Sequence, residues 1–211
     1  MKKIISAALL SAACVSANAG IIFSDNFDSE VPDVTVHTGS DTDYNNFTNW
    51  NVSDGTVDLV AQGDWGLNCA GYSGKCVDLD GSSGNAGIFS SNALTLAAGT
   101  YTLSFDISGS QRPQSFFDEM QVTLGGFFNE DFSRVAFQGW ETVTRTFNIA
   151  QETTDVISFN HAGADNMGIM LDNVVLSTDS ENSVSVDEPA TFALLGLGLL
   201  GLGAARRKQQ A

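Results

Sequence analysis

Three observations predict an all-β fold, specifically a two-sheet β-sandwich. Apolar and polar residues alternate over short runs: in Tyr101-Thr102-Leu103-Ser104-Phe105-Asp106-Ile107-Ser108 the apolar side chains share one face and the polar ones the other. That period of two belongs to a half-buried strand. Such runs are separated by Gly, Asn, Asp and Ser, residues that favour turns. Between the two ends of the chain, no stretch repeats its apolar residues at a helical period. Many short strands with regular turn signals are the pattern of a sandwich.

The strands follow in chain order. The spacing predicts them over 21–27, 56–61, 75–80, 86–91, 101–108, 120–125, 141–149, 155–161 and 169–177. Ala97-Ala98-Gly99-Thr100 reads as the turn into the strand at 101–108. The Phe-rich stretches Phe116-Phe117-Asp118-Glu119-Met120 and Gly125-Gly126-Phe127-Phe128-Asn129-Glu130-Asp131-Phe132 read as loops. These elements form one domain, 20–177. Residues 178–186 are polar and acidic with little to bury, which is the composition of a linker.

Both ends read as processing segments. Lys2 and Lys3, then an apolar stretch, then Ala17-Asn18-Ala19 follow the order of a secretory signal peptide, here 1–19. At the other end, 187–211, Thr191 to Ala205 gives 15 residues without a charge, followed by Arg206, Arg207 and Lys208. As a helix, 191–205 covers roughly 22 Å at ~1.5 Å per residue, short of a hydrocarbon core of about 30 Å. The basic end 206–208 suits a cytoplasmic stop. The expectation is a domain held outside the cell by a short C-terminal transmembrane helix.

Charge narrows the partners. From Asp25 to Glu188 there are four cations, Lys75, Arg112, Arg134 and Arg145, against all 25 Asp and Glu, a net of −21. A field of that sign repels phosphate backbones and argues against nucleic acid as a partner. It suits solubility, and carboxylates also collect divalent cations.

Cys69 and Cys76 remain after signal removal. In an exported chain they are first read as a disulfide closing a Gly-containing loop. Zinc would need two more ligands, and a redox pair more often has two intervening residues. The Asp78-Leu79-Asp80-Gly81 stretch can begin a calcium loop, but Phe89 stands at the twelfth position, so it is no EF-hand. A strand ending in a polar turn is the plainer reading. There is no G-x-S-x-G, H-E-x-x-H or phosphate-binding Gly loop, and His37 and His161 lie far apart. A pair of glycosidase carboxylates needs only spacing in three dimensions, so a carbohydrate-active hydrolase is kept as an alternative to the expected non-enzyme.

The tail resembles the PEP-CTERM sorting signal of Gram-negative bacteria. The matching residues are Glu188, Pro189, Ala190 and Thr191, the apolar run Leu194 to Leu202, then Arg206 and Arg207; Asp187 stands where that family usually has its first Pro. The resemblance implies transient insertion in the inner membrane and handling by an exosortase. It also implies delivery to the cell surface or to an exopolysaccharide matrix.

The middle resembles the galactose-binding-like jelly rolls of secreted bacterial proteins, through Asp25-Asn26-Phe27-Asp28, Asp78 to Ser82, Leu94 to Asp106 and Ile169 to Val174. This resemblance implies a β-sandwich jelly roll whose first and last strands run together. It also implies a structural calcium, carried here onto Asp28 and Asp172. Sugar-binding relatives use the concave sheet or end loops, where aromatic rings stack on sugars. Trp65 and Tyr72, in a Gly-rich loop beside the cysteines, are the first ligand-binding candidates; Trp50 and Trp140 read more readily as core. The function expected is an exported surface or matrix protein binding exopolysaccharide, the alternative being a structural surface protein without a glycan ligand.

Overall fold

The alternation along the predicted strands becomes two sheets packed face to face. The computed structural model describes residues 20–33, 39–113, 117–163 and 165–178. The signal segment, the linker beyond 178, the sorting residues Glu188 to Thr191, the apolar run and Arg206 and Arg207 lie outside them, as does His37. The chain divides into two units, Met1–Ser180 and Glu181–Ala211, and every described residue belongs to the first. Among the described residues no helix is long and apolar enough to cross a membrane.

The larger sheet runs β10 (Glu141–Ile149), β7 (Gly99–Ser108), β13 (Met170–Thr178), β4 (Lys75–Asp78), β3 (Asp58–Ala61). β1 (Gly20–Asp25) joins it beside the second half of β13, with Gly20 opposite Thr178. First and last strands therefore do run together. The second sheet runs β2 (Trp50–Ser53), β5 (Ile88–Ser91), β12 (Ile157–His161), β8 (Phe117–Leu124), β9 (Phe128–Val135). A small pair joins β6 (Leu94–Leu96) to β11 (Thr153–Asp155). The strand pairs are antiparallel.

The core lies between the sheets. Tyr101, Leu103, Phe105 and Ile107 of β7 point into it, as their alternation requires. They meet Val122, Phe132 and Phe159 from the second sheet. Rings hold the centre: Phe105 lies 5.3 Å from Phe159 and 5.5 Å from Phe132, both edge to face, the arrangement that ring quadrupoles favour.

The Phe-rich loop readings need correction. Residues 117–124 and 128–135 are the hairpin β8–β9. The inward positions of β9 are Phe128, Glu130, Phe132 and Arg134. Two charges at inward positions hide the alternation. Each is answered by a charge from β10 across the open side of the sandwich. Arg145 Nε donates to Glu130 at 2.6 Å, and Arg134 bonds Glu141 at 3.1 Å. The hydrogen bond from Arg145 lowers the pKa of Glu130, and the Glu130 bond raises that of Arg145. Inward charges on edge strands deny other chains a pairing site, and here they join the two sheet edges.

A second, smaller cluster sits on the outer face of the larger sheet. Val60, Cys76 and Met170 are covered there by Leu67 and Cys69, with Trp140 packed against them. The segment between β3 and β4 thus folds back over the sheet. That excursion builds the site.

Candidate functional site

Residues 62–74 leave β3 and return to β4 through two 3-10 turns, Asp64–Gly66 and Ala70–Tyr72. Cys69 and Cys76 form a disulfide, the first of the readings drawn from the sequence. Asn68 is the hub. Its backbone N–H donates to Gln111 Oε1 at 2.9 Å; its carbonyl accepts from Gln111 Nε2 at 2.7 Å and from Trp140 Nε1 at 2.9 Å. Gln62 clamps the same turn, giving a hydrogen bond to Asn68 Oδ1 and accepting one from the Cys69 N–H, both at 2.8 Å.

The result is a cleft of about 550 Å³, lined by Asn68, Tyr72, Ser108, Gln111, Phe137, Trp140 and glycines 66, 71 and 139. No charged residue lines it. Tyr72 is 76% exposed and Phe137 69%, large values for aromatic rings, which are usually buried. Trp140 is half-buried, its N–H held on Asn68. Of the two ligand-binding candidates, Tyr72 lines this cleft. Trp65 stands on the same loop, 38% exposed, beside the lining residue Gly66. Trp50 is core.

Three non-glycine residues of this region have left-handed backbones: Trp65 (φ 51°), Tyr72 (φ 58°) and Gln111 (φ 58°). Each such residue costs about 1–3 kcal/mol and persists only where the surroundings enforce it. The disulfide and the Gln62, Gln111 and Trp140 hydrogen bonds are that enforcement. Sequence reasoning missed Gln111, Asn68 and Phe137. Phe137 had a faint signal, standing in Phe137-Gln138-Gly139-Trp140 next to a tryptophan. Gln111 had none, because its role is set by a fold contact with a residue 43 positions earlier.

The disulfide can be tested directly. Closing so short a loop is worth about 2 kcal/mol in the chain-entropy account. The Cys69→Ser/Cys76→Ser variant should lose about that much in urea unfolding, and hydrogen exchange at residues 68–75 should quicken while exchange in β7 and β12 stays slow. Unchanged exchange in the loop would mean the hydrogen bonds alone hold it.

Beneath the loop lies the expected calcium pair. Asp172 is 3% exposed; its two oxygens accept the N–H of Ala70 at 3.1 Å and of Asn173 at 2.7 Å. Burial pushes its pKa up to about 7, and the charges of Asp28 and Asp106 push the same way. Asp28 accepts from the Lys75 N–H at 2.8 Å, while the Lys75 ammonium donates to the Asp28 carbonyl at 2.8 Å. Among the described residues no three His, Cys, Asp or Glu form a metal cluster. A calcium would need backbone carbonyls and water for most of its six to eight oxygens.

Two other polar regions bear on function. A cavity of about 490 Å³ lies on the second sheet, lined in part by Glu119, Gln121, Asp131, Ser133 and Asn160. Exposed rings are not among its lining residues. His161 also lines it; its Nε2 accepts the Ile169 N–H at 3.1 Å, so the proton of the neutral ring sits on Nδ1. That atom is buried and lacks a hydrogen-bond partner, as does Asp80 Oδ1. Burial lowers the pKa of His161. With Nε2 committed to the backbone, this imidazole is poorly placed to serve as a base.

The chain thus forms a β-sandwich domain carrying an uncharged cleft lined in part by aromatic rings. Residues 188–208 match the PEP-CTERM protein-sorting motif; the chain is therefore an exported one, handled at the membrane by an exosortase. Solved structures similar to the domain include carbohydrate-binding modules. One is the CBM22-1 xylan-binding domain of Paenibacillus barcinonensis Xyn10C, at 11% identity, TM-score 0.45, covering 79% of this chain and 99% of that one. Another is the C-terminal CBM6 of LamC from Zobellia galactanivorans, at 12% identity, TM-score 0.39, covering 76% and 100%. A third is the K3 adhesin domain of Lys-gingipain from Porphyromonas gingivalis, at 16% identity, TM-score 0.46, covering 76% and 99%. No curated protein matches the chain at a significant level.

Proposed function

We propose that this is a non-enzymatic surface or matrix protein that binds exopolysaccharide through the loop cleft. The observation that carries the reading is the cleft itself. It exposes Tyr72, on a loop held by a disulfide and by hydrogen bonds to its backbone, and Phe137 beside Trp140 in the connection between β9 and β10. Aromatic faces with nearby amide and hydroxyl groups suit the apolar faces and hydroxyl rims of sugar rings. Its volume falls within the about 300–1,000 Å³ of small-ligand sites. Rigidity matters because a loop already ordered loses little entropy on binding. Trp65 would act from the same loop, through its shape or on a longer chain.

The test is affinity of the full-length chain, in mild detergent, for the host's own exopolysaccharide. Tyr72→Ala and Phe137→Ala should each weaken binding about tenfold, which is ~1.4 kcal/mol. Unchanged binding in the folded double variant would move the site elsewhere.

A structural role without glycan has its own support. Phe117 and Val135, paired across β8 and β9, are 67% and 46% exposed, and such apolar pairs favour contact with other proteins. Self-association of a chain that ignores glycans would favour that role.

Calcium belongs to the same reading, held by the exposed Asp28 and the buried Asp172. Millimolar calcium should then raise the melting temperature by several degrees over chelator, since a ligand of the native state alone stabilises it. Equal melting temperatures would remove calcium from the account.

A further inference from the structure

Resting on that reading of the cleft, we infer that its ligand is an uncharged glycan, and that polysaccharides carrying carboxylate, sulfate or phosphate groups are rejected. From Gly20 to Thr178 the sequence has four cations, Lys75, Arg112, Arg134 and Arg145. Each is bonded to a partner within this domain, with the side chains of Arg145 and Arg112 42% and 26% exposed. The Lys75 ammonium is held on the Asp28 carbonyl. Arg112 is paired with the buried Asp78. Arg134 is paired with Glu141, and Arg145 with Glu130. Of the two histidines, His161 is buried and His37 lies outside the described residues.

Recognition of an anionic group ordinarily uses a guanidinium or ammonium for charge-assisted hydrogen bonds. The cleft has Asn68, Ser108 and Gln111 instead. Gln111 spends its amide on Asn68 and Ser108, so polar capacity there is neutral and modest. Around it, residues 20–178 carry 21 carboxylates. At physiological salt the screening length is about 8 Å, and Asp64 shares the turn of the lining residue Gly66, so its charge acts on a chain in the cleft. An anionic polysaccharide meets repulsion with nothing to offset it. A neutral one loses nothing to that field and keeps the aromatic contacts.

The experiment compares two neutral probes, a β-glucan and a galactan, with two anionic ones, alginate and polygalacturonate. It uses the full-length chain and the Tyr72→Ala variant, with chelator and with calcium, at low and at physiological salt. At least one neutral probe should bind and lose about tenfold in Tyr72→Ala, with little response to salt. The anionic probes should bind at least tenfold more weakly, and more weakly still at low salt. Tyr72-dependent binding of an anionic probe as tight as the neutral ones, with or without calcium, would overturn the neutral-ligand inference and leave the cleft standing. Absence of Tyr72-dependent binding for all four would overturn the cleft and the inference with it.

Discussion

Replacing Trp50 by alanine should come close to unfolding the domain. Trp50 is 2% exposed on β2. It stacks on Phe89 at 4.5 Å with an interplanar angle of 9°, and Phe23, Phe27 and Phe159 surround it at 5.4, 5.9 and 5.8 Å. β2, β5 and β12 are already neighbours in one sheet; the ring cluster adds packing between them and Phe23 of β1 in the other sheet. Deleting a buried tryptophan costs about 3–5 kcal/mol through lost transfer energy and the cavity left behind. A second cost is polar. The indole N–H donates to Asp25 Oδ2 at 3.0 Å, and Asp25 is 8% exposed. Its other donors are the Phe27 N–H and Asn49 Nδ2, so the carboxylate keeps partners but loses one. Whole domains are stable by only about 5–15 kcal/mol, so the urea midpoint should fall by a third or more. Trp50→Phe separates the two costs. It keeps most of the ring and loses the N–H, and should cost about 1–2 kcal/mol. A loss below 1 kcal/mol in Trp50→Ala would mean the aromatic cluster does not hold the sheets together.

The same residue marks where the sequence could be read and where it could not. Trp50 in Phe47-Thr48-Asn49-Trp50-Asn51-Val52 reads as core, but nothing local makes it a strand. β2 has four residues with one fully inward side chain, too few for an alternation to register. The long runs behave differently. β7, β10 and β13 carry their pattern over eight or more residues, and each was legible to within a few positions. β9 was not, because Glu130 and Arg134 occupy inward positions and are answered by Arg145 and Glu141 on a strand distant in sequence. Site residues divide the same way. Tyr72, and Trp65 on the same loop, announce themselves as aromatics in a Gly-rich stretch flanked by cysteines. Gln111 and Asn68 matter through a mutual contact that only the fold creates. Phe137 lies in a connection after β9, and its exposure is a property of packing. The left-handed backbones of Trp65, Tyr72 and Gln111 have no local signature either, since glycine would be the expected residue there.

The domain should be most stable near pH 5 and should weaken as the pH rises to 8. Three buried carboxylates carry this. Burial pushes Asp78 up to about 7 against the opposing charge of Arg112. Burial likewise raises Asp58, against hydrogen bonds from Asp43 and Ser82. Asp172 is pushed up to about 7 by burial, aided by Asp28 and Asp106. The sign follows from proton binding. A carboxyl whose folded pKa lies above its unfolded value holds its proton longer in the native state. Its contribution is complete below the unfolded value, near 4, and is lost as the pH passes through the folded one, near 7 for Asp78 and Asp172. Between those limits each such group weakens folding by up to about 1.4 kcal/mol per pH unit. His161 works the other way. Burial lowers its pKa, so below about 6.5 the unfolded state takes up the proton first and the native state loses ground. That opposition sets the optimum above pH 4. Growing net charge adds to the alkaline slope, because the isoelectric point is near 4.1 and like charges repel across a compact chain. In chelator, the melting temperature should therefore fall by several degrees from pH 5 to pH 8, and Asp78→Asn should flatten the slope even if it lowers the overall level. Calcium supplies the discriminating arm. An ion held by Asp28 and Asp172 would favour the ionised Asp172 and cancel its share of the slope, so calcium should stabilise most at pH 8 and least at pH 5. A melting temperature that rises from pH 5 to pH 8 in chelator would mean that these carboxylates are ionised in the native state at little cost. The Arg112 pair and the backbone N–H donors would then outweigh their burial.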